Sequence, residues 1–306
     1  MPVSLFVDNV CGNYVGAVAD GNRLLEYRVE KINASVPIGS VFKGKVENVL
    51  GGMQAAFVNV GLAKNGYLSA DDMLMDKSEI EGRVELPSVL DLKPGDEIMV
   101  QAVKDPAGTK GVRLTRHLSF AGRYVVFLPT LSFAGVSRKI TDEKSRERLA
   151  KIAEKYRPKG MGIIIRTAGE NARKGEIKNE IKYLEEQFKE IEENFAFAKP
   201  ATCIYEEGNV GIRLLRDVYT QDVDKFVVSD RELYEKLRMY AKRRDKDLKS
   251  KLKFYDKKID MFRYYGLNDN VESMLSSSVP LENGAYIVID KTEAMTVIDV
   301  NTGKFT

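Results

Sequence analysis

The chain has 306 residues, 43% of them hydrophobic, which is room for two or three domains with cores of their own. Its 48 basic and 45 acidic residues leave a net charge of only +3, so a globally basic surface is excluded and any nucleic-acid binding falls to local patches. Cys11 and Cys203 lack partners at metal spacing, and His117 is the only histidine, which excludes a His pair and argues against a Ser-His arrangement. A reducing cytoplasm is the expected location, with any hydrolysis relying on metal-activated water. Asp8 and Asn9 interrupt the amino terminus too early for a signal peptide, and the longest apolar run, Tyr124–Val136, is broken by Pro129 and is too short to span a bilayer.

Taken in chain order, Val3–Val7, Tyr14–Ala19 and Leu24–Glu30 are expected as strands, with Asp20-Gly21-Asn22 as a hairpin turn. Three short strands need a partner from elsewhere to bury a core. From Pro37 the rhythm is that of a small β-barrel: Val41–Val49, Gln54–Val60, Asn65–Ser69, Glu97–Lys104 and Gly111–Arg116, each bounded by turn residues. The spacing of Gly39-Ser40-Val41, Gly44-Lys45-Val46, Ala56-Phe57-Val58, Gly66-Tyr67-Leu68 and Pro94-Gly95-Asp96 over residues 36–117 resembles an OB-fold of the S1 type. Such barrels stack bases on aromatics of strands 2 and 3, at about 1–3 kcal/mol each, so Phe57 and Tyr67 are candidate platforms, although a single aromatic at such a position is more often core. Residues 70–93 are expected as a polar excursion between barrel strands.

The next unit, 118–202, is expected to hold a strand at Arg123–Leu128, a helix over Thr141–Tyr156 with Thr141 as its N-cap, and a buried strand at Gly162–Arg166. A second helix carries a core stripe of Ile177, Ile181, Leu184, Phe188 and Ile191. Arg166 and Thr167 end the strand before Ala168-Gly169, a guanidinium and a hydroxyl in a loop, which suits a phosphate but also describes an exposed strand-end arginine. Cys203–Glu206, Asn209–Leu215 and Lys225–Val228 are expected as strands, and Ser229 opens a capping box for a helix running to about Arg244. Tyr240–Lys258 sets nine Lys/Arg against three Asp, either a solvated face or a phosphate contact.

Finally, Tyr286–Asp290 and Met295–Asp299 have the pattern of two antiparallel strands, with Asp299 where the second stops. Alternation puts Asp299 and Asn301 on one side, ahead of Thr302 and Gly303. A carboxylate beside an amide suits Mg2+, which takes hard oxygen ligands; Asp-x-Asn-x-Gly is also ordinary turn chemistry.

The run AMTVIDVNTGKFT resembles the catalytic strand of the ribonuclease E/G family, and the likeness extends over essentially the whole chain. It implies an endoribonuclease cutting single-stranded RNA by Mg2+-assisted hydrolysis, with Asp299 as a metal ligand and Asn301 orienting it. It further implies RNA contacts by Phe57, Tyr67, Lys104 and Lys110, and a 5′-monophosphate pocket of Gly122, Val126, Arg138, Arg166 and Thr167. The architecture implied is multidomain α+β: a ribonuclease-H-like domain from 1–35 and 203–275, the S1-type OB-fold at 36–117, a 5′-sensor domain at 118–202, and the start of a DNase-I-like catalytic domain at 276–306. A second metal-binding aspartate and a zinc-binding Cys-x-x-Cys segment of the family are expected beyond this sequence, as is its homo-oligomerisation. The chain is accordingly expected to be an amino-terminal piece that cuts little by itself. The alternative is a non-catalytic single-stranded RNA-binding module.

Overall fold

At the amino terminus, β1 (Val3–Val10), β2 (Asn13–Asp20) and β3 (Arg23–Lys31) form an antiparallel meander joined by tight turns, as the alternation of apolar and turn residues requires. The structure is a computed structural model and describes residues 3–32, 38–70, 89–104, 111–219, 222–244, 246–281, 283–293 and 295–303; the side chains of 242–247 lie outside that description. The chain divides into two compact units, residues 1–32 with 210–306, and residues 33–209.

Residues 33–209 begin with β4 (Val41–Leu50), β5 (Ala55–Asn59), β6 (Gly66–Ser69), β7 (Glu97–Lys104) and β8 (Arg113–Thr115). The pairing order β4-β5-β6-β8-β7 returns to β4, closing a five-stranded OB-like barrel with β6 and β8 parallel. Closure removes the exposed edges that five short strands would otherwise leave. Its interior is filled from alternate positions, among them Phe42, Val58, Leu68, Val100 and Leu114.

After the barrel come β9 (Phe120–Ala121), β10 (Val125–Leu128), β11 (Ala134–Val136), α1 (Glu143–Tyr156), β12 (Gly162–Ile165) and α2 (Lys174–Phe197). The strands make a four-stranded sheet in the order β11-β12-β10-β9. Val125, Phe127, Ile163 and Ile165 point from one face into a core with Leu149 and Ile152 of α1 and the five-residue stripe of α2. Val126 and Ile164 point to the other face. The N-cap of α1 is Asp142, whose Oδ2 accepts from Ser145 N at 2.8 Å, and not Thr141. A carboxylate at the cap also meets the positive end of the helix, which a hydroxyl cannot match. β13 (Thr202–Tyr205) pairs with β4 of the barrel and not with the amino-terminal meander.

Residues expected as a strand at Asn209–Leu215 instead form α3 (Val210–Asp217). Val210, Gly211, Leu214 and Leu215 are all buried, a helical spacing that places one face against β2, and a short apolar run does not distinguish this from a strand. The chain then adds β14 (Lys225–Val228), α4 (Arg231–Arg244), α5 (Lys246–Lys251) and β15 (Leu252–Phe254). The sheet so completed runs β15-β14-β1-β2-β3, with β14 parallel to both β1 and β15. Leu5, Val7, Phe226 and Val228 pack on α3–α5, while Phe6, Ala17 and Val227 pack on Met261, Phe262 and Leu267 beneath the opposite face. The cap of α4 is Asp230, accepting from Leu233 N at 2.8 Å, because Ser229 is spent on donating its hydroxyl to the Asp8 carboxylate.

Two short helices, α6 (Met261–Tyr264) and α7 (Asn268–Met274), lead to β16 (Ser278–Pro280), β17 (Tyr286–Lys291) and β18 (Thr296–Asn301), a three-stranded antiparallel sheet. Asp299 lies within β18, opposite Val288, and the strand continues to Asn301 opposite Tyr286, past the end expected from the sequence. Gly303, just past the end of β18, takes φ +56, and a Cβ there would stand 2.6 Å from the Gly284 carbonyl, so the turn that follows the strand requires glycine. Among the described residues no helix is long and apolar enough to cross a membrane.

Candidate nucleic-acid interface and catalytic hairpin

The barrel's alternation decides what its aromatics do. Ala56, Val58 and Leu68 fill the interior, so Phe57 and Tyr67 face outward, half-buried and paired across β5 and β6. Their ring centroids are 5.9 Å apart at 64°, an edge-on pair that keeps both rings on one surface. Register extends this pair into a row across the barrel: Asn48 stands opposite Phe57, Arg113 opposite Tyr67, and Lys104 opposite Arg113. Two π faces are therefore flanked by a guanidinium and an ammonium. Arg113 was not among the residues singled out from sequence, though the expected strand Gly111–Arg116 places it one position from the interior-facing Leu114 and so on the outer face. Lys110 lies outside the described residues.

The candidate phosphate loop is built at the ends of β10 and β12. Arg166 N donates to the Tyr124 carbonyl (2.8 Å), and its Nη1 donates to the Gly122 carbonyl (2.6 Å), which fixes the guanidinium against the 122–124 turn. Thr167 opens a 3-10 turn, and its Oγ1 lies 3.2 Å from Ser137 Oγ, drawing the loop that carries the exposed Arg138 alongside. Val126 lies further back, buried on the strand face shared with Ile164. Gly122, Arg138, Arg166 and Thr167 are thus brought to one end of the sheet, with Val126 on its floor.

Two side chains that sequence reasoning passed over hold this arrangement. Glu180, 8% exposed on α2, accepts from the backbone N–H groups of Arg123 (2.8 Å), Tyr124 (2.6 Å) and Val125 (3.0 Å). Its carboxyl packs so closely beneath the turn that a Cβ on residue 122 would stand 2.5 Å from it, so glycine is required there. Arg146 of α1 donates to the carbonyls of Ser137 (2.9 Å) and Ile140 (3.1 Å), bracing the second loop. The signal for Glu180 was present, since it falls three residues after Ile177 and four before Leu184, on the apolar face of α2.

On the terminal hairpin, Asn301 Nδ2 donates to Asp299 Oδ2 at 3.0 Å, the same-side placement that a spacing of two imposes. Both are hard oxygen-bearing groups on a strand, a donor set whose chemistry would fit Mg2+. Among the described residues, no three His, Cys, Asp or Glu side chains come together as a metal-holding group.

A family profile described as the Ribonuclease E/G family matches residues 119–306. The chain belongs to the ribonuclease E/G family. It is 36% identical over 294 residues to Ribonuclease G of Escherichia coli strain K12, covering 94% of this chain and 60% of that protein. Ribonuclease E of a Nostoc species is 34% identical over 275 residues, covering 88% of this chain and 39% of that protein. Ribonuclease E of Haemophilus influenzae is 30% identical over 295 residues, with 95% and 31% covered. The chain therefore spans 60% or less of the length of these relatives. A solved structure of an uncharacterized protein from Methanocaldococcus jannaschii matches 26% of this chain at 25% identity and a TM-score of 0.20.

Proposed function

We propose that this chain grips single-stranded RNA for an endoribonuclease that hydrolyses it with Mg2+ and acts in RNA processing, with preference for a 5′-monophosphate end. The observation that carries the reading is the outward row of Phe57, Tyr67, Arg113 and Lys104 on a closed OB-like barrel in a ribonuclease E/G chain. Stacking holds bases of any sequence, and the two cations hold the backbone beside them. The sheet order β3-β2-β1-β14-β15, antiparallel then parallel, supports a ribonuclease-H-like framework, and the terminal hairpin the beginning of a DNase-I-like catalytic domain.

At the catalytic hairpin Asp299 would hold Mg2+, and the Asn301 amide keeps that carboxylate in one orientation. A metal bound there supplies Lewis-acid polarisation of a phosphate oxygen. At the other end of the RNA, the Arg166 guanidinium and the Thr167 hydroxyl offer a fork and a donor to the terminal oxygens of a 5′-monophosphate, where a 5′-hydroxyl has no counterpart. A second reading, an RNA-binding module without catalysis in this form, is favoured by Asp299 belonging to no group of three metal-ligating side chains among the described residues.

The test is binding. Phe57→Ala should weaken affinity for single-stranded RNA by about 1–3 kcal/mol, and Phe57→Tyr should leave it unchanged, because a platform needs only a π face. Fluorescence anisotropy with a short labelled RNA measures both, and undiminished binding by a folded alanine variant would remove the barrel from the RNA site.

A further inference from the structure

α1 carries a stripe that the RNA site as described leaves unused. Lys144, Arg148, Lys151 and Lys155 recur at steps of four, three and four, which places all of them on one side of the helix over about 16 Å. Opposite them, Lys174 begins α2. Together these five line an open groove of about 500 Å³ that contains one carboxylate, Glu147, and has Ile152 at its floor. At one end Lys155, Lys174 and Lys178 converge on the ring of Tyr156, their ammonium nitrogens 6.0, 5.7 and 5.7 Å from its centroid.

Three features set this groove apart from an ordinary solvated face. Further along α2, Lys182 pairs with Glu186 and Lys189 with Glu185, whereas among the described residues no carboxylate lies within ion-pair distance of Lys144, Lys151, Lys155, Lys174 or Lys178. Lys174 and Lys178 stand at the amino-terminal end of a 24-residue helix and Lys144 in the first turn of α1, where helix dipoles favour acids. Charge is therefore concentrated against local preference, which an anion in the groove would offset. Arg148 Nη2 donates to the Glu170 carbonyl, and Glu170 N closes the 3-10 turn on Thr167, so groove and candidate phosphate loop share one turn.

We propose that this groove binds the sugar-phosphate backbone of the RNA whose 5′ end is held at Arg166 and Thr167, an inference that rests on the end-binding reading above. A concave row of unpaired cations fits successive phosphates. A lipid surface would call for exposed apolar side chains beside the charges, and among the described residues α1 presents no large one. An acidic protein segment would satisfy the charges but would not account for the continuity with the end-binding loop.

The experiment measures binding of a 12-nucleotide single-stranded RNA, with a 5′-monophosphate or a 5′-hydroxyl, across a salt series. Native protein is compared with Lys144→Gln/Lys151→Gln/Lys155→Gln, with the same three positions changed to Arg, and with Arg166→Gln. The Gln triple variant should lose about tenfold to hundredfold in affinity near 0.1 M salt, and its slope of log K against log salt should flatten by about 2, at about 0.7 for each phosphate of a single strand that is no longer neutralised. It should keep the monophosphate preference that Arg166→Gln abolishes, and the Arg triple variant should restore binding. A native slope in the Gln triple variant overturns the groove while leaving end binding intact. Flattening without any end preference in the native protein overturns the end reading and the claim that one RNA occupies both. An RNA affinity unchanged in the Gln triple, while binding to an acidic peptide or to anionic vesicles is lost, overturns the proposal in favour of those partners.

Discussion

His117 shows at the scale of a residue why a lone histidine need not be chemistry. It is half-buried behind the barrel, its Nδ1 is buried without a hydrogen-bond partner among the described residues, and burial, reinforced by the adjacent Arg116, lowers its pKa from 6.5 to about 4. The folded state therefore holds a neutral imidazole where the unfolded chain would already be charged. Folding then competes with protonation below pH 6.5: the unfolded state gains a proton that the native state refuses until about pH 4. The stability contributed by neutral His117 is complete above about pH 6.5 and is lost progressively down to about pH 4. Urea midpoints measured across that window should fall more steeply for native protein than for His117→Gln, and parallel curves would show that the imidazole is solvated.

At the scale of elements, what could be read from the sequence was what repeats. The barrel strands, the meander, the stripe of α2 and the terminal hairpin all follow from alternation or helical spacing, and each is present. The misses came where two patterns compete for a short segment. Residues 210–217 hold too few residues to separate a helix period from a strand run, and the caps of α1 and α4 each moved one residue to the neighbouring aspartate. Of the candidate site, the sequence shows the aromatics and the strand-end arginine, while the backbone hydrogen bonds of Glu180 and Arg146 and the place of Arg113 beside Tyr67 depend on packing and register that only the fold creates. Glu180 makes this testable. Replacing it with alanine strands three backbone N–H groups under the 122–125 turn, and should destabilise the protein by about 2–4 kcal/mol while erasing the preference for a 5′-monophosphate. Glu180→Gln, which keeps one acceptor, should fall between. A stability loss below about 0.5 kcal/mol in Glu180→Ala, with end preference retained, would mean that the turn holds its shape without the carboxylate.

Across the whole molecule, the side chains proposed to grip RNA and those proposed to cut it reside in different units. Phe57, Tyr67, Lys104, Arg113, Arg166 and Thr167 all belong to residues 33–209, whereas Asp299 and Asn301 belong to the unit made by 1–32 and 210–306. A change at Asp299 should therefore alter rate without altering the hold on RNA. Asp299→Asn is the sharpest form of that change, since asparagine has the same shape and still offers an oxygen to the Asn301 amide, so the hairpin keeps its hydrogen bond and loses only the charge. In the full-length protein, single-turnover cleavage of a 5′-monophosphorylated single strand in Mg2+ should fall by roughly 100-fold or more, because stabilisation of the transition state is lost and ground-state binding is not. Affinity measured with the same RNA should stay within about twofold, the salt slope should not change because every cation that meets a phosphate is still in place, and EDTA should bring the native protein down to the variant's rate. Cleavage at the native rate would take Asp299 out of the metal site and return the Asp-x-Asn-x-Gly run to ordinary turn chemistry. A loss of affinity equal to the loss of rate would mean instead that the hairpin is part of the grip, and that the division of labour between the two units is wrong.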